Sequence, residues 1–270
     1  MFEIDHSDVK ELGNTNEYVP AIGIGTWDIR NYKNAEKALI EAVNLGLNLI
    51  DTAEMYHSGR AEELVGKVSR EVGRDNVFIV TKLMPDKFVE VDTAEKAVKN
   101  SLERLKVKYV DLLLIHWPNL SIPIERQVRI LEYLADKGYT RYIGVSNFDH
   151  IQLEEAVKTV KKHHIAVNQV KYSVIDKTPE KLLLPLCIKY KVTIQAYTPL
   201  EKGKVASIKT IEEIARKYRK TPVQIALNYL ISRPRVTAIP KTEKVERIRE
   251  FKEATGWRLD IKDIEILEKL

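Results

Sequence analysis

The sequence predicts an α/β fold, a (β/α)8 barrel of the TIM type that follows an N-terminal β-hairpin. Eight short apolar runs alternate with amphipathic helical stretches, which indicates a parallel sheet that is buried on both faces. No linker or low-complexity stretch interrupts this alternation over the 270 residues. We therefore expect one barrel domain that spans residues 1–270.

The first element is the hairpin, because VKELGNTNEYVPAIGIGTW alternates short apolar runs around an Asn- and Gly-rich turn and leads into a first strand at Ile22 to Gly25. The later strands are predicted from the runs LNLIDTA, VFIVTKL, VDLLLIHW, TRYIGVSNF, IAVNQVKYS, VTIQAYTPL and VTAIPKT. Helices are predicted from AEKALIEAVNLG, VDTAEKAVKNSLERLK, IERQVRILEYLADKG and LEEAVKTVKK, each ahead of a strand. A doubly wound fold is the alternative, but its GxGxxG turn is missing, since GIGTW supplies only Gly23 and Gly25.

Composition narrows the class of protein. The chain is 44% hydrophobic and 31% charged with a net charge of +5, and its basic and acidic residues are interleaved, which is typical of solvated helix faces rather than of a nucleic-acid surface. No segment has the length of a membrane span, and MFEIDHSDVKELG lacks the pattern of a signal peptide. The single cysteine, Cys187 in LLLPLCIKY, predicts a packed core thiol. We expect a cytoplasmic protein, a monomer or weak homodimer, with neither membrane nor nucleic acid as partner.

Abundant Lys, Glu and Ile also resemble the composition of heat-adapted proteins, so we expect a thermostable chain.

Barrel enzymes place their active sites at the carboxyl ends of the strands, so polar residues that follow the apolar runs are candidates for function. These candidates are Asp51, Lys82, His116, Ser146, Asn147, Gln169, Tyr197 and Lys241. Each lies near the end of a different predicted strand, apart from the adjacent Ser146 and Asn147. Polar residues that converge from so many strands indicate a site.

Tyr56, Lys82, Asp51 and His116 fit the needs of hydride transfer to a carbonyl. The carbonyl oxygen gains negative charge as hydride arrives, so an acid must supply a proton. Tyrosine, with an unperturbed pKa of about 10, needs a nearby cation to stabilise its phenolate. Lys82 can be that cation, Asp51 its partner in an apolar barrel mouth, and His116 a donor to the carbonyl. Taken singly, Asp51 could instead cap a helix, Lys82 could be a solvated strand end and His116 a core histidine.

The sequence resembles the aldo-keto reductase family, in its short-loop prokaryotic or archaeal type, over nearly its whole length. The segments that carry the resemblance are GIGTW, DTAEMYHSGRAEELVGK, FIVTKL, DLLLIHWP, TRYIGVSNF, NQVKYS, AYTPLEKG and AIPKTEKVERIRE. It implies an NAD(P)-dependent oxidoreductase that interconverts carbonyls and alcohols. It also implies a catalytic tetrad of Asp51, Tyr56, Lys82 and His116, in which Tyr56 donates the proton.

The same resemblance implies the residues that bind the cofactor. Ser146, Asn147 and Gln169 would hold the nicotinamide carboxamide, and Tyr197 would stack on the ring. The other cofactor contacts implied are Thr26, Asp51, Pro199, Leu200, Lys241, Thr242, Arg247 and Glu250. The substrate contacts implied are Trp27, Tyr56, His116 and Trp117.

The adenosine end of the cofactor site follows the last strand. Lys241 and Thr242 stand where a helix begins, and free backbone N–H groups there suit a phosphate. In the family, residues at Lys241, Thr242 and Arg247 contact the 2′-phosphate and one at Glu250 contacts adenine, which favours NADPH. NADH stays an alternative, because Phe251 replaces an asparagine of many relatives and must either pack into the barrel wall or reshape the adenine pocket.

Other interpretations compete with the reductase. His163 and His164 are adjacent and lack a carboxylate or cysteine pattern, so we predict a surface turn at the opposite face and no metal. A nicotinamide-binding redox sensor or regulatory subunit is one alternative function. A non-redox barrel that binds a sugar phosphate through Lys241 and Arg247 is another. Short loops after HWP and TPLEKG predict an open pocket that accepts varied aldehydes and ketones.

Overall fold

The computed structural model describes residues 2–270 and contains a two-stranded hairpin and an eight-stranded parallel barrel. The hairpin pairs β1 (Val9–Glu11) with β2 (Tyr18–Pro20) in antiparallel register. The barrel strands are β3 (Ile24–Gly25), β4 (Leu49–Asp51), β5 (Phe78–Leu83), β6 (Val110–Ile115), β7 (Thr140–Ser146), β8 (Ile165–Lys171), β9 (Thr193–Tyr197) and β10 (Val236–Ala238). Consecutive strands are neighbours throughout the sheet, which confirms the predicted (β/α)8 barrel and its hairpin.

The barrel closes between its first and last strands through a short seam. Isolated parallel bridges join Ile22 to Ala238 and Gly25 to Lys241. The Gly23 and Gly25 amides donate to the carbonyl oxygens of Ala238 and Pro240 at 2.9 and 3.0 Å. Because β3 is only two residues long, few hydrogen bonds hold this seam.

Helices surround the barrel and pack on it through apolar faces. They are α1 (Tyr32–Asn44), α2 (Arg60–Val72), α3 (Val91–Leu105), α4 (Ile124–Asp136), α5 (His150–Thr159), α6 (Thr178–Lys181), α7 (Leu183–Tyr190), α8 (Lys209–Tyr218), α9 (Pro222–Ile231), α10 (Val245–Lys252) and α11 (Ile261–Glu268). In α1 the buried positions 35, 38, 39 and 42 follow the helical period. This helix starts before the predicted segment AEKALIEAVNLG, because the Asn31 side chain caps it by accepting from the Asn34 amide at 3.0 Å.

Apolar side chains fill the barrel interior, and the hairpin contributes to them. Leu12 and Val19, from the hairpin, share one buried cluster with Leu49 and Val80 of the barrel strands. Backbones approach closely at Gly144, where a Cβ atom would lie 2.7 Å from the carbonyl oxygen of Val167. The hairpin therefore covers the amino end of the barrel, and the carboxyl ends of the strands are left for a functional site.

Residues outside the mouth also have defined places. Cys187 is buried and unpaired within α7, as predicted for a core thiol. His163 and His164 precede β8, at the amino end of the barrel, and hydrogen-bond to Asp136 Oδ1 at 3.0 Å and to the Lys191 carbonyl at 3.1 Å. Residues 2–270 include no cluster of three or more His, Cys, Asp or Glu side chains arranged to hold a metal ion. Across the same range, the longest apolar helices are too short to cross a bilayer.

Candidate active site

Three adjacent strands bring the four predicted catalytic residues together. Asp51 ends β4, Lys82 lies in β5, and His116 directly follows β6, where its backbone amide donates to the Leu83 carbonyl at 2.9 Å. Tyr56 begins a 3-10 helix, Tyr56–Gly59, in the loop after β4. Parallel strands place their carboxyl ends at one edge, so side chains that are far apart in sequence meet there.

Lys82 is the centre of this group. Its ammonium donates to Asp51 Oδ2 at 2.8 Å, to the Thr52 carbonyl at 2.8 Å and to the Tyr56 hydroxyl at 2.9 Å. The side chain has no exposed surface, and its three donors have three acceptors. A buried ammonium is tolerated only when it is paired in this way. The geometry therefore links the Tyr56 hydroxyl to a fixed positive charge.

Burial and pairing set the charges of this ion pair. Burial lowers the pKa of Lys82, but Asp51 and Tyr56 raise it by more, so the ammonium stays charged. Burial raises the pKa of Asp51, and the Lys82 charge and hydrogen bonds from Lys82 and Gln169 oppose that rise. Both Asp51 oxygens accept hydrogen bonds, from Lys82 and from Gln169 Nε2 at 2.7 Å, which is the arrangement of an ionised carboxylate. We therefore assign a charged pair.

Tyr56 is positioned by an unusual turn. His57 and Ser58 have φ angles of 48° and 55°, in the left-handed region that few side chains favour, and Gly59 follows at 89°. The turn keeps Tyr56 buried, with 7% of its surface exposed, beside Lys82. Burial raises the pKa of the Tyr56 hydroxyl, and Lys82 acts in the opposite direction. The hydroxyl is thus protonated at neutral pH and has a cation beside it.

His116 is a neutral imidazole in this site. Burial, and secondarily the Lys82 charge, lowers its pKa to about 2. Its Nδ1 atom is buried without a hydrogen-bond partner, and its ring stacks on Trp117 with centroids 3.9 Å apart. The Tyr56 ring lies edge-on at 5.7 Å. A neutral imidazole can donate one hydrogen bond without repelling the ammonium nearby.

Two tryptophans border the mouth, as the sequence predicted. Trp27 packs edge-on against Tyr56 with ring centroids 5.0 Å apart, and Trp117 stacks on His116. Both remain substantially exposed, Trp27 at 52% and Trp117 at 38%. Their free ring faces are therefore available to a substrate next to the Tyr56 hydroxyl.

The residues predicted to hold the nicotinamide form a connected network that adjoins the tetrad at His116 and Asp51. The Tyr197 hydroxyl donates to Asn147 Oδ1 at 2.9 Å, and Asn147 Nδ2 donates to the His116 carbonyl at 3.0 Å. Ser146 Oγ donates to the Gln169 carbonyl at 2.8 Å. The Tyr197 ring is half-buried at the end of β9. Amides and a flat aromatic ring thus lie beside the proton donor.

Gln195 is a member of this network that the sequence analysis missed. It lies opposite Gln169 in the register of β8 and β9, and its Oε1 accepts from Gln169 Nε2 at 2.5 Å. Its own Nε2 is buried without a partner. The signal was available, because Gln195 precedes Tyr197 by two positions and therefore points to the same face of the strand.

The remaining predicted cofactor residues follow β9 and β10. The Thr26 hydroxyl donates to the Asp51 carbonyl at 2.9 Å, so it already supports the strand that carries the tetrad. Pro199 and Leu200 lead into a 3-10 helix, Glu201–Ser207. The Glu201 carboxylate accepts from the Ser173 hydroxyl at 2.9 Å. This contact fixes the loop after β9 to the loop after β8.

At the start of α10, the cations are paired with carboxylates. Lys241 Nζ lies 2.7 Å from Glu243 Oε1, and Arg247 lies 2.5 Å from Glu250 Oε2. The Thr242 hydroxyl accepts from the Lys244 amide at 3.1 Å. Further along the helix, Phe251 is 2% exposed within the core. Of the two possibilities for that residue, the structure thus shows packing into the barrel wall.

These groups fit a nicotinamide dinucleotide by their chemistry. The reactive end offers amides, an aromatic face and two buried nitrogen atoms that lack partners, His116 Nδ1 and Gln195 Nε2. The other end offers Lys241 in the loop after the last strand, where barrels commonly bind phosphate, and Arg247 in the first turn of α10.

Comparisons with known proteins agree with this chemistry. A profile of the aldo/keto reductase family matches residues 21–270. The methylglyoxal reductase YeaE of Escherichia coli is 34% identical over 260 residues, which cover 93% of this chain and 90% of the relative. An NADH-specific methylglyoxal reductase of Escherichia coli is 30% identical over 221 residues, covering 71% of this chain and 67% of the relative.

Solved structures show the same fold. The thermostable aldo-keto reductase Tm1743, in complex with the inhibitor epalrestat, has a TM-score of 0.91 and 40% identity and covers 97% of this chain and 98% of its own. An aldo/keto reductase from Klebsiella pneumoniae in complex with NADP and acetate has a TM-score of 0.91 and 32% identity, with 97% and 95% of the two chains covered.

Proposed function

The chain belongs to the aldo/keto reductase family, and from this we propose that it reduces small aldehydes and ketones with NAD(P)H, using Tyr56 as the proton donor. The observation that carries the assignment is the buried Lys82 ammonium, which hydrogen-bonds the Tyr56 hydroxyl at 2.9 Å and Asp51 at 2.8 Å. A buried ammonium beside a tyrosine hydroxyl stabilises the phenolate that proton transfer leaves. A lysine with only a structural role would avoid the desolvation cost by staying exposed at the mouth.

The roles of the residues follow from their chemistry. A carbonyl oxygen that sits beside Tyr56 and His116 would accept hydrogen bonds from both. When bound, the reduced nicotinamide supplies the hydride. The carbonyl oxygen then takes the Tyr56 proton, and Lys82 stabilises the phenolate that is left. Asp51 holds Lys82 in place and balances its charge. Trp27 and Trp117 would contact the carbon skeleton of the substrate through their exposed ring faces.

Ser146, Asn147 and Gln169 would orient the carboxamide, and Tyr197 would support one face of the nicotinamide ring, so that the other face meets the substrate. Thr26, Pro199 and Leu200 would line the path toward Lys241, Thr242, Arg247 and Glu250. Relatives solved with NADP and one specific for NADH support use of either cofactor. The Lys241 and Arg247 cations favour the 2′-phosphate of NADPH.

For the substrate class we propose small reactive aldehydes such as methylglyoxal. The support comes from the named activity of the relative YeaE and from exposed aromatic walls that make few discriminating contacts. Every group of the proposed mechanism comes from one chain, which supports activity as a monomer or weak homodimer. The need for a regenerated nicotinamide pool supports a place in the cytoplasm.

The test is turnover with and without the Tyr56 hydroxyl. Wild-type protein is mixed with NADPH or NADH and with methylglyoxal or benzaldehyde, and loss of the nicotinamide absorbance is followed. We expect Tyr56→Phe to lower turnover by about 10²- to 10⁴-fold while NADP⁺ affinity stays near wild type, because only the proton donor is removed. Tyr190→Phe is the matched control, since that hydroxyl bonds to Glu154 on the outer helices.

The outcomes separate the alternatives. Equal loss of turnover and of cofactor affinity in Tyr56→Phe would make the tyrosine structural. Cofactor binding without consumption in the wild type would favour the redox sensor. Absence of any nicotinamide binding would favour the non-redox barrel that binds a sugar phosphate.

A further inference from the structure

Glu243 occupies a central place at the adenosine end of the proposed cofactor site. Its Oε1 accepts from Lys241 Nζ at 2.7 Å and from the Arg30 amide at 2.9 Å, and its Oε2 accepts from the Asn31 amide at 2.9 Å. The side chain is 17% exposed. It therefore joins the loop after β10 to the loop after β3 and holds the Lys241 ammonium at the same time.

This carboxylate is ionised. Burial alone would raise the pKa of Glu243, but the hydrogen bonds from Lys241, Arg30 and Asn31 and the charge of Lys241 outweigh that effect and lower it. A fixed negative charge thus lies within hydrogen-bond distance of the cation best placed to meet a phosphate on the ribose.

We propose that Glu243 sets the discrimination between NADPH and NADH by competing with the 2′-phosphate for Lys241. The inference rests on the proposed function, since it concerns the cofactor of that reaction. A phosphate that binds Lys241 must share the ammonium with Glu243 and lies close to a like charge, which weakens its binding. NADH carries a hydroxyl at this position, so it meets no such repulsion.

The neighbouring contacts extend the argument. Arg247 is also paired, with Glu250, so neither of the two cations predicted to bind the phosphate is free of a carboxylate. Glu250 of α10 accepts from the Thr221 hydroxyl as well, at 2.7 Å, which ties it to the N-cap of α9. Glu243 differs in that it contacts only the two loops at the mouth. Neutralising Glu243 should therefore alter the phosphate site and disturb the barrel less than neutralising Glu250 would.

The experiment measures dissociation constants of NADP⁺ and NAD⁺ by quenching of tryptophan fluorescence, in wild type and in Glu243→Gln. The amide keeps the size of the side chain and an acceptor oxygen but loses the charge. We expect NADP⁺ to bind about five- to thirtyfold more tightly to the variant, as removal of one nearby like charge predicts. NAD⁺ affinity should change less than about twofold, because no phosphate meets the altered position.

Glu246→Gln is the matched control. It makes the same change of net charge three positions along the chain, in the first turn of α10, and within residues 2–270 its side chain forms no hydrogen bond or ion pair. This control should leave the ratio of the two dissociation constants near that of wild type. A second variant pair, Lys241→Met with and without Glu243→Gln, should show a smaller effect of the glutamine, because the shared cation is gone.

Unchanged or weaker NADP⁺ binding in Glu243→Gln would overturn the inference, since Glu243 would then serve only to hold Lys241 in place. An equal gain for NAD⁺ would overturn it too, because the effect would come from loop structure. If the wild type binds both dinucleotides but Glu243→Gln leaves the ratio of their dissociation constants unchanged, the inference is wrong and the proposed function stands. If the wild type binds neither, both fall.

Discussion

Lys82 shows how much one residue can decide in this site. Its ammonium has no exposed surface, yet it meets a carboxylate, a carbonyl and the tyrosine hydroxyl. A lysine in such a place would lose its charge if Asp51 were absent. Proton donation by Tyr56 therefore depends on Asp51, which keeps the Lys82 ammonium charged.

His116 gives a prediction about pH. Because its pKa is lowered to about 2 when folded, the unfolded chain binds one more proton than the folded one between that value and about 6.5. Stability that is present above the unfolded pKa is thus lost as the pH falls through this window, by up to about 1.4 kcal/mol per pH unit.

We expect His116→Gln to have a shallower loss of unfolding free energy than wild type between about pH 6 and pH 4. Urea unfolding at each pH measures it, and the difference between the two slopes isolates His116 from the carboxylates. Parallel slopes would mean that the histidine is not held neutral.

The site residues differ in how far the sequence could predict them. Asp51 ends β4, Lys82 precedes the last residue of β5 and His116 directly follows β6, so strand position and chemistry together mark them. Glu243 was missed because its contacts are set by loop closure, and Gln195 was missed although its spacing of two from Tyr197 places it on the same face of β9. Glu243, for instance, meets the amides of Arg30 and Asn31, which lie more than two hundred positions away.

At the scale of elements, a buried ionic cluster joins the carboxyl end of the chain to the barrel. Arg233, which follows α9 and is 1% exposed, contacts Glu180 of α6 at 3.3 Å and Glu268 of α11 at 2.7 Å. The hydroxyls of Tyr172 and Tyr229 donate to the same Glu180 carboxylate at 2.5 and 2.8 Å. The Arg233 Nε and Nη2 atoms both donate within the cluster, which suits a structural role.

We expect Arg233→Met to lower the free energy of unfolding by about 3–5 kcal/mol, because it removes a buried guanidinium and leaves the partly buried Glu180 and Glu268 carboxylates without their cation. Chemical denaturation measures the loss. Arg216→Met is the control, since that exposed arginine pairs only within α8, with Glu212 at 3.8 Å, and should change stability by less than about 0.5 kcal/mol. Equal losses in the two variants would contradict a special role for the cluster.

Regular elements were the more predictable part of the fold. All eight strands coincide with predicted apolar runs, and the alternation of these runs with amphipathic helices was sufficient to predict the barrel. The 3-10 helix Glu201–Ser207 was not predicted, because Lys202 and Gly203 adopt left-handed conformations. That geometry depends on contacts of Glu201 with the preceding loop, which no local pattern encodes.

For the whole molecule, ion pairs connect segments that are distant in sequence. Arg258 binds Asp8 at 2.8 Å, across 250 positions, and Arg141 binds Glu17 of the hairpin and, at 3.0 Å, Asp111. Such links resist separation of the chain ends from the barrel, and charged networks gain value as temperature rises. The composition predicted heat adaptation, and these contacts give that prediction a structural basis.

We therefore expect a thermal unfolding midpoint above about 65 °C, beyond the usual range of mesophilic domains. Calorimetry at low salt measures it, and added salt should lower the midpoint as the exposed pairs are screened. A midpoint in the mesophilic range that is insensitive to salt would refute the expectation.

The seam between β3 and β10 has a consequence for the coupling of ligand and fold. Lys241 forms the last backbone bridge of that seam and also carries the ammonium proposed to meet the phosphate. A dinucleotide bound across this point would stabilise the closed barrel at a seam that few hydrogen bonds hold. A ligand that binds only the closed form suppresses opening by mass action. Cofactor affinity and the stability of the closed seam would then be linked. Cofactor binding at the start of each catalytic cycle would stabilise the seam, and cofactor dissociation at its end would remove that stabilisation.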